Sequence, residues 1–272
     1  MSVNTQDILV RETSPGFIQQ QAVSDEFDQV KAIVKPFHDM YGAILDNTYF
    51  QTITRIVADQ VQALSSGTIS ETYTVYNDKS IWVEPESAKG RAAFPPDTSV
   101  GMQTSIMKLD SCDTTVAMFL PHLSDNLREI GARVDWVVVD AIPYKIFHYE
   151  HEDPTDPQHS VFSITTCSGN QFIADFTIEQ FGYDAECWFS RKSAYLELYT
   201  EPGSCRLISE DEVAMIESVV AEDVSLDTSK SGVRTLCISM DWETYRRLPS
   251  DERFPWLHAH VQAFSETWYR VR

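Results

Sequence analysis

The stretch from residue 159 to 183, HSVFSITTCSGNQFIADFTIEQFGY, restricts the fold more than any other part of the chain. Val161, Phe162 and Ile164 form one apolar run, and Phe172, Ile173 and Ala174 form a second. Ser168, Gly169 and Asn170 lie between them as a turn cluster. The pattern predicts an antiparallel hairpin. Strand side chains alternate between faces, so His159 and Asp175, both at odd positions, can share one. Direct opposition needs a pairing centred on Cys167, with a loop over residues 165 to 169. A loop confined to 168 to 170 would set Asp175 opposite Ser163, and a bulge would be needed to bring it back. A histidine and an aspartate on one sheet face supply two of the three groups of a hydrolytic or acyl-transfer triad.

The third group is sought in the helices that flank this hairpin. Residues 24 to 45 start with an N-cap serine and carry Val30, Ile33, Val34 and Phe37 at helical spacing, with Pro36 as a kink or break. Residues 47 to 67 are read as a second helix on the stripe Phe50, Ile53, Val57, Val61 and Leu64. Residues 72 to 84 alternate and carry Asn77-Asp78, which suggests a hairpin; residues 85 to 105 read as a loop. A helix starts near Cys112 and stops at Gly131, with Pro121 inside it. Strands are expected over 134 to 152, around Pro143. Residues 188 to 200 fit strand or helix, 209 to 223 a capped amphipathic helix, and 233 to 248 a strand running into a helix; a last helix starts at Arg253. Strands in the middle and helices at the ends predict an α+β fold around a mainly antiparallel sheet. Residues 1 to 23 are expected to be a polar arm. Residues 24 to 272 are expected to form one domain: a helical part with its loop to 105, a catalytic-like core over 106 to 183 and an extension from 184.

Charge narrows the function classes. With 21 Lys and Arg against 41 Asp and Glu, the formal charge is -20, which repels a duplex or an anionic membrane. Neither nucleic acid nor membrane is expected as a partner. No apolar run is long enough to span a bilayer, and the first residues do not read as a secretory signal, so a cytoplasmic location is expected. The five cysteines, at 112, 167, 187, 205 and 237, show no CxxC pair and no zinc spacing. They are read as reduced thiols, most of them in the core and at most one chemically active. His148 and His151 would face opposite sides of a strand, so no metal site is expected, and no glycine-rich loop points to a cofactor.

Cys112 follows Lys108-Leu109-Asp110-Ser111 and opens the central helix. The positive end of a helix dipole favours a thiolate there. The chain order Cys112, His159, Asp175 resembles that of the transglutaminase-like superfamily of papain-type cysteine enzymes, which includes the arylamine N-acetyltransferases. The resemblance covers about residues 105 to 183. It rests on Cys112 at the helix start, on LREIGAR at 127 to 133, and on Asp175-Phe176-Thr177-Ile178-Glu179-Gln180-Phe181-Gly182, similar to the family's D-x-T-x-x-Q-x-G run. It implies a nucleophile-bearing helix packed on the sheet, and a Cys112, His159, Asp175 triad working through a thioester. The substrate would be a small-molecule acyl or aminoacyl compound, or a peptide amide. Asp113 stands where the family often has an aromatic residue, and an acidic neighbour opposes thiolate formation.

Each of these residues also has a plainer reading. His159 fits a surface histidine, Asp175 an N-cap, and Cys112 an inert thiol at a helix start. A degenerate binding or scaffold domain is therefore the alternative to an enzyme, and an unrelated α+β fold is the third possibility.

Overall fold

The computed structural model describes residues 15–48, 50–59, 61–63, 67, 69–83, 93–152, 157–222 and 224–270. In chain order the helices are α1 (Pro15–Asp46), α2 (Val100–Met107), α3 (Cys112–Arg128), α4 (Lys192–Tyr199), α5 (Glu210–Glu222), α6 (Val224–Ser239), α7 (Trp242–Arg247) and α8 (Ser250–Arg270). The strands are β1 (Phe50–Ala58), β2 (Gln62–Ala63), β3 (Ile69–Val83), β4 (Arg133–Asp140), β5 (Lys145–Tyr149), β6 (Gln158–Thr165), β7 (Gln171–Ala174), β8 (Phe189–Arg191) and β9 (Arg206–Leu207).

The fold is α+β with two sheets. One has five strands in the order β8-β7-β6-β4-β9, all antiparallel. In α3, Val116, Phe119, Leu123 and Leu127 are buried on one stripe. They pack with Phe37 and Met40 of α1 against Trp136, Phe162 and Phe172 of the sheet. Each such full burial contributes about 1.5–3 kcal/mol. Pro121 lies on the exposed side of α3, so the hydrogen bond it lacks costs no buried partner. The helix ends where Gly131 adopts φ 69°, a left-handed conformation that glycine takes without a Cβ clash. The opposite sheet face carries Val137, Val139, Val161, Ile173 and, from α4, Tyr195. A 3-10 turn at Ile178–Phe181 adds Ile178 to that layer.

The second sheet joins β1 and β3 antiparallel, with β2 beyond and β5 parallel to β3. Ile53, Val75, Phe147 and Ile106 of α2 form its core. Tyr144 N donates to Phe181 O at 3.0 Å, tying the start of β5 to the 3-10 turn.

Several expectations need correction. Residues 50–58 and 62–63 are strands, not a second helix. The run Thr52, Ile53, Thr54, Ile56 and Val57 is β-branched and pairs with β3, and this outweighs the helical spacing of its apolar residues. Residues 72 to 83 belong to one strand, not a hairpin. Asn77 and Asp78 lie next to a register shift, where β1 passes from the Gln51↔Trp82 pair to Thr52↔Asp78. Residues 100–105 of the expected loop belong to α2, and its residues 85–92 lie outside the described residues. Residues 233–239 continue a helix instead of forming a strand; Val233, Leu236, Cys237 and Met240 are buried at helical spacing. Residues 15–23 of the expected arm belong to α1, and residues 1–14 lie outside the described residues. Of the five thiols only Cys237 is buried; Cys167 is exposed and the others are half-buried, against the expectation of mostly core cysteines. Among the described residues no helix is long and apolar enough to cross a membrane.

Candidate active site

The hairpin of β6 and β7 sets the first two groups. Thr165 pairs with Gln171 and Phe162 with Ala174, so the loop runs over residues 166–170. The ladder ends at the Phe162–Ala174 pair, and Asp175 is the next residue, on the face that His159 shares by strand alternation. The two side chains then meet along that face, with His159 Nε2 2.8 Å from Asp175 Oδ2 and both side chains fully buried. The plainer reading of His159 as a surface histidine is thereby overturned: β4 on one flank and Phe181, edge-on to its ring, enclose it.

Asp175 is held by further donors. Tyr195 Oη donates to Oδ2 at 2.7 Å, and Thr177 N donates to Oδ1 at 3.0 Å. The second bond closes a side-chain turn onto the backbone two residues on; the N-cap of the 3-10 turn is Thr177, not Asp175 as the plainer reading had it. Burial opposes charge on this carboxylate, but His159, Tyr195 and Thr177 together outweigh it and hold its pKa below the ordinary value. Burial likewise opposes charge on the imidazole. The Asp175 carboxylate and its hydrogen bond, joined by the hydrogen bond and charge of Cys112, lift the His159 pKa to about 10.

Cys112 opens the first turn of α3, near enough to His159 for its sulfur to bear on the imidazole. The turn before it contains Asp110 at φ 57°, an unusual conformation for a residue with a side chain. Ser111 precedes the thiol; its Oγ donates to Lys108 O at 2.6 Å and accepts from Tyr41 Oη at 2.7 Å. The N-terminus of α3 abuts the start of β6. Trp136 Nε1 donates to Ser160 Oγ at 2.7 Å, and that hydroxyl donates to Asp113 Oδ1 at 2.5 Å. The acidic neighbour of the thiol is thus anchored on the sheet face opposite His159. Its Oδ1 lies 4.0 Å from Cys112 Sγ.

A cleft of about 190 Å³ opens at the thiol. Cys112, Gln180, Phe181, Asp110 and the β5 residues Lys145 to His148 line it. Gln180 was part of the D-x-T-x-x-Q-x-G run but had no role read from sequence. Its Nε2 lies 3.3 Å from His159 Nδ1 and 3.1 Å from Thr177 Oγ1. Tyr195 could not be picked out from its sequence neighbours, because only the folded chain brings α4 over Asp175. Cys167 lies exposed at the hairpin bend, away from this group. His148 contacts Asp59 and Thr74, whereas His151 is exposed. Among the described residues no group of three or more His, Cys, Asp or Glu is placed to hold a metal ion.

The arrangement can move a proton between a thiol and an imidazole while a buried carboxylate stabilises the imidazolium. Comparison with protein-family models, with curated proteins and with solved structures returns no match to this chain.

Proposed function

We propose that this chain is a cysteine-dependent enzyme of transglutaminase-like kind, which transfers or hydrolyses an acyl group through a thioester. One observation supports the reading above the others: a fully buried His159–Asp175 pair beside a cleft-lining thiol that helps to raise the imidazole pKa. With the His159 pKa raised, the Cys112 proton already rests on the imidazole, at Nδ1, and the sulfur attacks an amide or thioester carbonyl carbon as the thiolate. His159 returns that proton to the departing nitrogen or sulfur, which leaves an acyl group on Cys112. Water or an amine then attacks the thioester, His159 takes a proton from it, and Cys112 is released. Asp175 keeps Nε2 engaged, so Nδ1 is the nitrogen that works. The backbone N–H groups at the start of α3 supply the oxyanion hole in this reading. The substrate is a small acyl or aminoacyl compound or a peptide amide, and no cofactor takes part.

A second reading, a binding or scaffold domain without thiol chemistry, draws on Asp113, whose carboxylate sits beside the sulfur. Iodoacetamide labelling at neutral pH separates the two. The enzyme reading expects Cys112 to react ahead of the other four thiols, and the His159→Ala variant to lose that preference. Labelling of Cys112 no faster than exposed Cys167, with no effect of His159→Ala, favours the scaffold.

A further inference from the structure

We propose that the buried ion pair of Lys108 and Glu179 is a positioning device that keeps Cys112 and Gln180 aligned on His159. The inference rests on the acyl-transfer reading of the site. Lys108 Nζ lies 2.7 Å from Glu179 Oε1 and 2.8 Å from Phe176 O, with side-chain exposures of 5% and 8% for the pair. Taking two charges out of water is costly, and a well-packed apolar pair of similar volume is often as stable or more so. Stability alone is therefore a poor reason for an ion pair here, whereas its location offers a better one.

Lys108 caps the C-terminus of α2, four residues ahead of the thiol. Its carbonyl receives Ser111 Oγ at 2.6 Å and Ser111 N at 3.3 Å. Its ammonium lies 5.5 Å from the Tyr41 ring centre, and the Tyr41 hydroxyl bonds the same serine. The backbone of Lys108 thus fixes the residue just before Cys112. Its side chain reaches the segment that follows Asp175. It holds Phe176 by the carbonyl and Glu179 by the carboxylate, and Glu179 is the immediate neighbour of Gln180. One lysine therefore spans the two turns that carry the sulfur and the Gln180 amide. A point charge with three donors suits this task, since it satisfies a carbonyl and a carboxylate at once.

The test replaces the pair by apolar side chains, Lys108→Met with Glu179→Leu, in the full chain. The alkylation rate of Cys112 by iodoacetamide is followed against pH, with circular dichroism and thermal melting as the measure of folding. The account expects a folded variant whose melting falls by no more than the loss of the one hydrogen bond to Phe176 O explains. Its Cys112 alkylation should be slower by at least about tenfold, as a displacement of an ångström or less would cause, with a changed pH profile. The charge-preserving pair Lys108→Arg with Glu179→Asp should recover part of the loss. If the apolar variant does not fold, Glu179→Gln, which keeps the shape and an acceptor oxygen, takes its place with the same readout. A folded variant with the parent rate and profile overturns the proposal, and so does unfolding of both variants, which would make the pair structural. A parent whose Cys112 shows no dependence on His159 defeats the acyl-transfer reading itself; unchanged variants of a reactive parent defeat only the positioning role.

Discussion

Tyr195 Oη lies 2.7 Å from Asp175 Oδ2, the same oxygen that meets His159 Nε2 at 2.8 Å. Two donors on one buried carboxylate oxygen keep it ionised and fix its direction. Tyr195→Phe removes one donor and leaves the ring in place. A hydrogen bond to a charged group is worth about 1.5–3 kcal/mol, and urea unfolding should show a loss of that size. Cys112 labelling should slow in this variant but stay selective. A stability unchanged within error would mean that the hydroxyl does not hold the carboxylate.

The His159–Asp175 pair sets a pH window for stability. His159 has a raised pKa, about 10 against an ordinary 6.5, so its contribution is full below 6.5 and is lost as pH rises toward 10. Asp175 has a lowered pKa, so its contribution is full above 3.8 and is lost as pH falls through its folded value. The pair therefore stabilises most between those two ordinary values. Unfolding free energies of the parent and of the His159→Gln/Asp175→Asn variant should differ most near pH 6. That difference should shrink toward alkaline pH with a slope of up to about 1.4 kcal/mol per pH unit. A difference that grows from pH 6 to 9 contradicts the assignment.

Gly182 closes the 3-10 turn at φ 80°, and a Cβ there would lie 2.9 Å from Lys145 Cβ and Cγ. Both the backbone and the space oppose any side chain, and the strand pressed is β5, which lines the cleft. Gly182→Ala should destabilise the chain by more than about 1 kcal/mol and slow Cys112 labelling. A thermal melt equal to the parent's would show that the turn can relax without cost.

The core around the hairpin was legible because its signals agreed. The apolar run of β6, the glycine turn and the parity of His159 and Asp175 sat within one local stretch, and the helix start at Cys112 was marked by its own neighbours. The exact register was not legible, because a five-residue loop at 166–170 leaves no mark that separates it from its neighbours. Residues 50–58 misled because Phe50, Ile53 and Val57 fit a helix stripe, while pairing with β3, distant in sequence, decides the outcome. Residues 233–239 misled the other way: valine, threonine and isoleucine suggested a strand, although the buried positions follow a helix. Tyr195 and Lys108 were invisible because their partners come from other elements. Cys237 shows why cysteine type alone says little. It is buried with its pKa pushed up to about 12, whereas Cys112 lies half-exposed in a cleft.

The most direct test of thioester chemistry is to trap the acyl group. The full chain is mixed with p-nitrophenyl acetate, quenched with acid, digested and mapped by mass. The account predicts an acetyl group on the peptide carrying Cys112, released by hydroxylamine, with formation slowed about 100-fold or more in His159→Ala, the usual contribution of a positioned general base. Acetyl spread over several thiols, or formed on Cys112 at the parent rate without the imidazole, would contradict it.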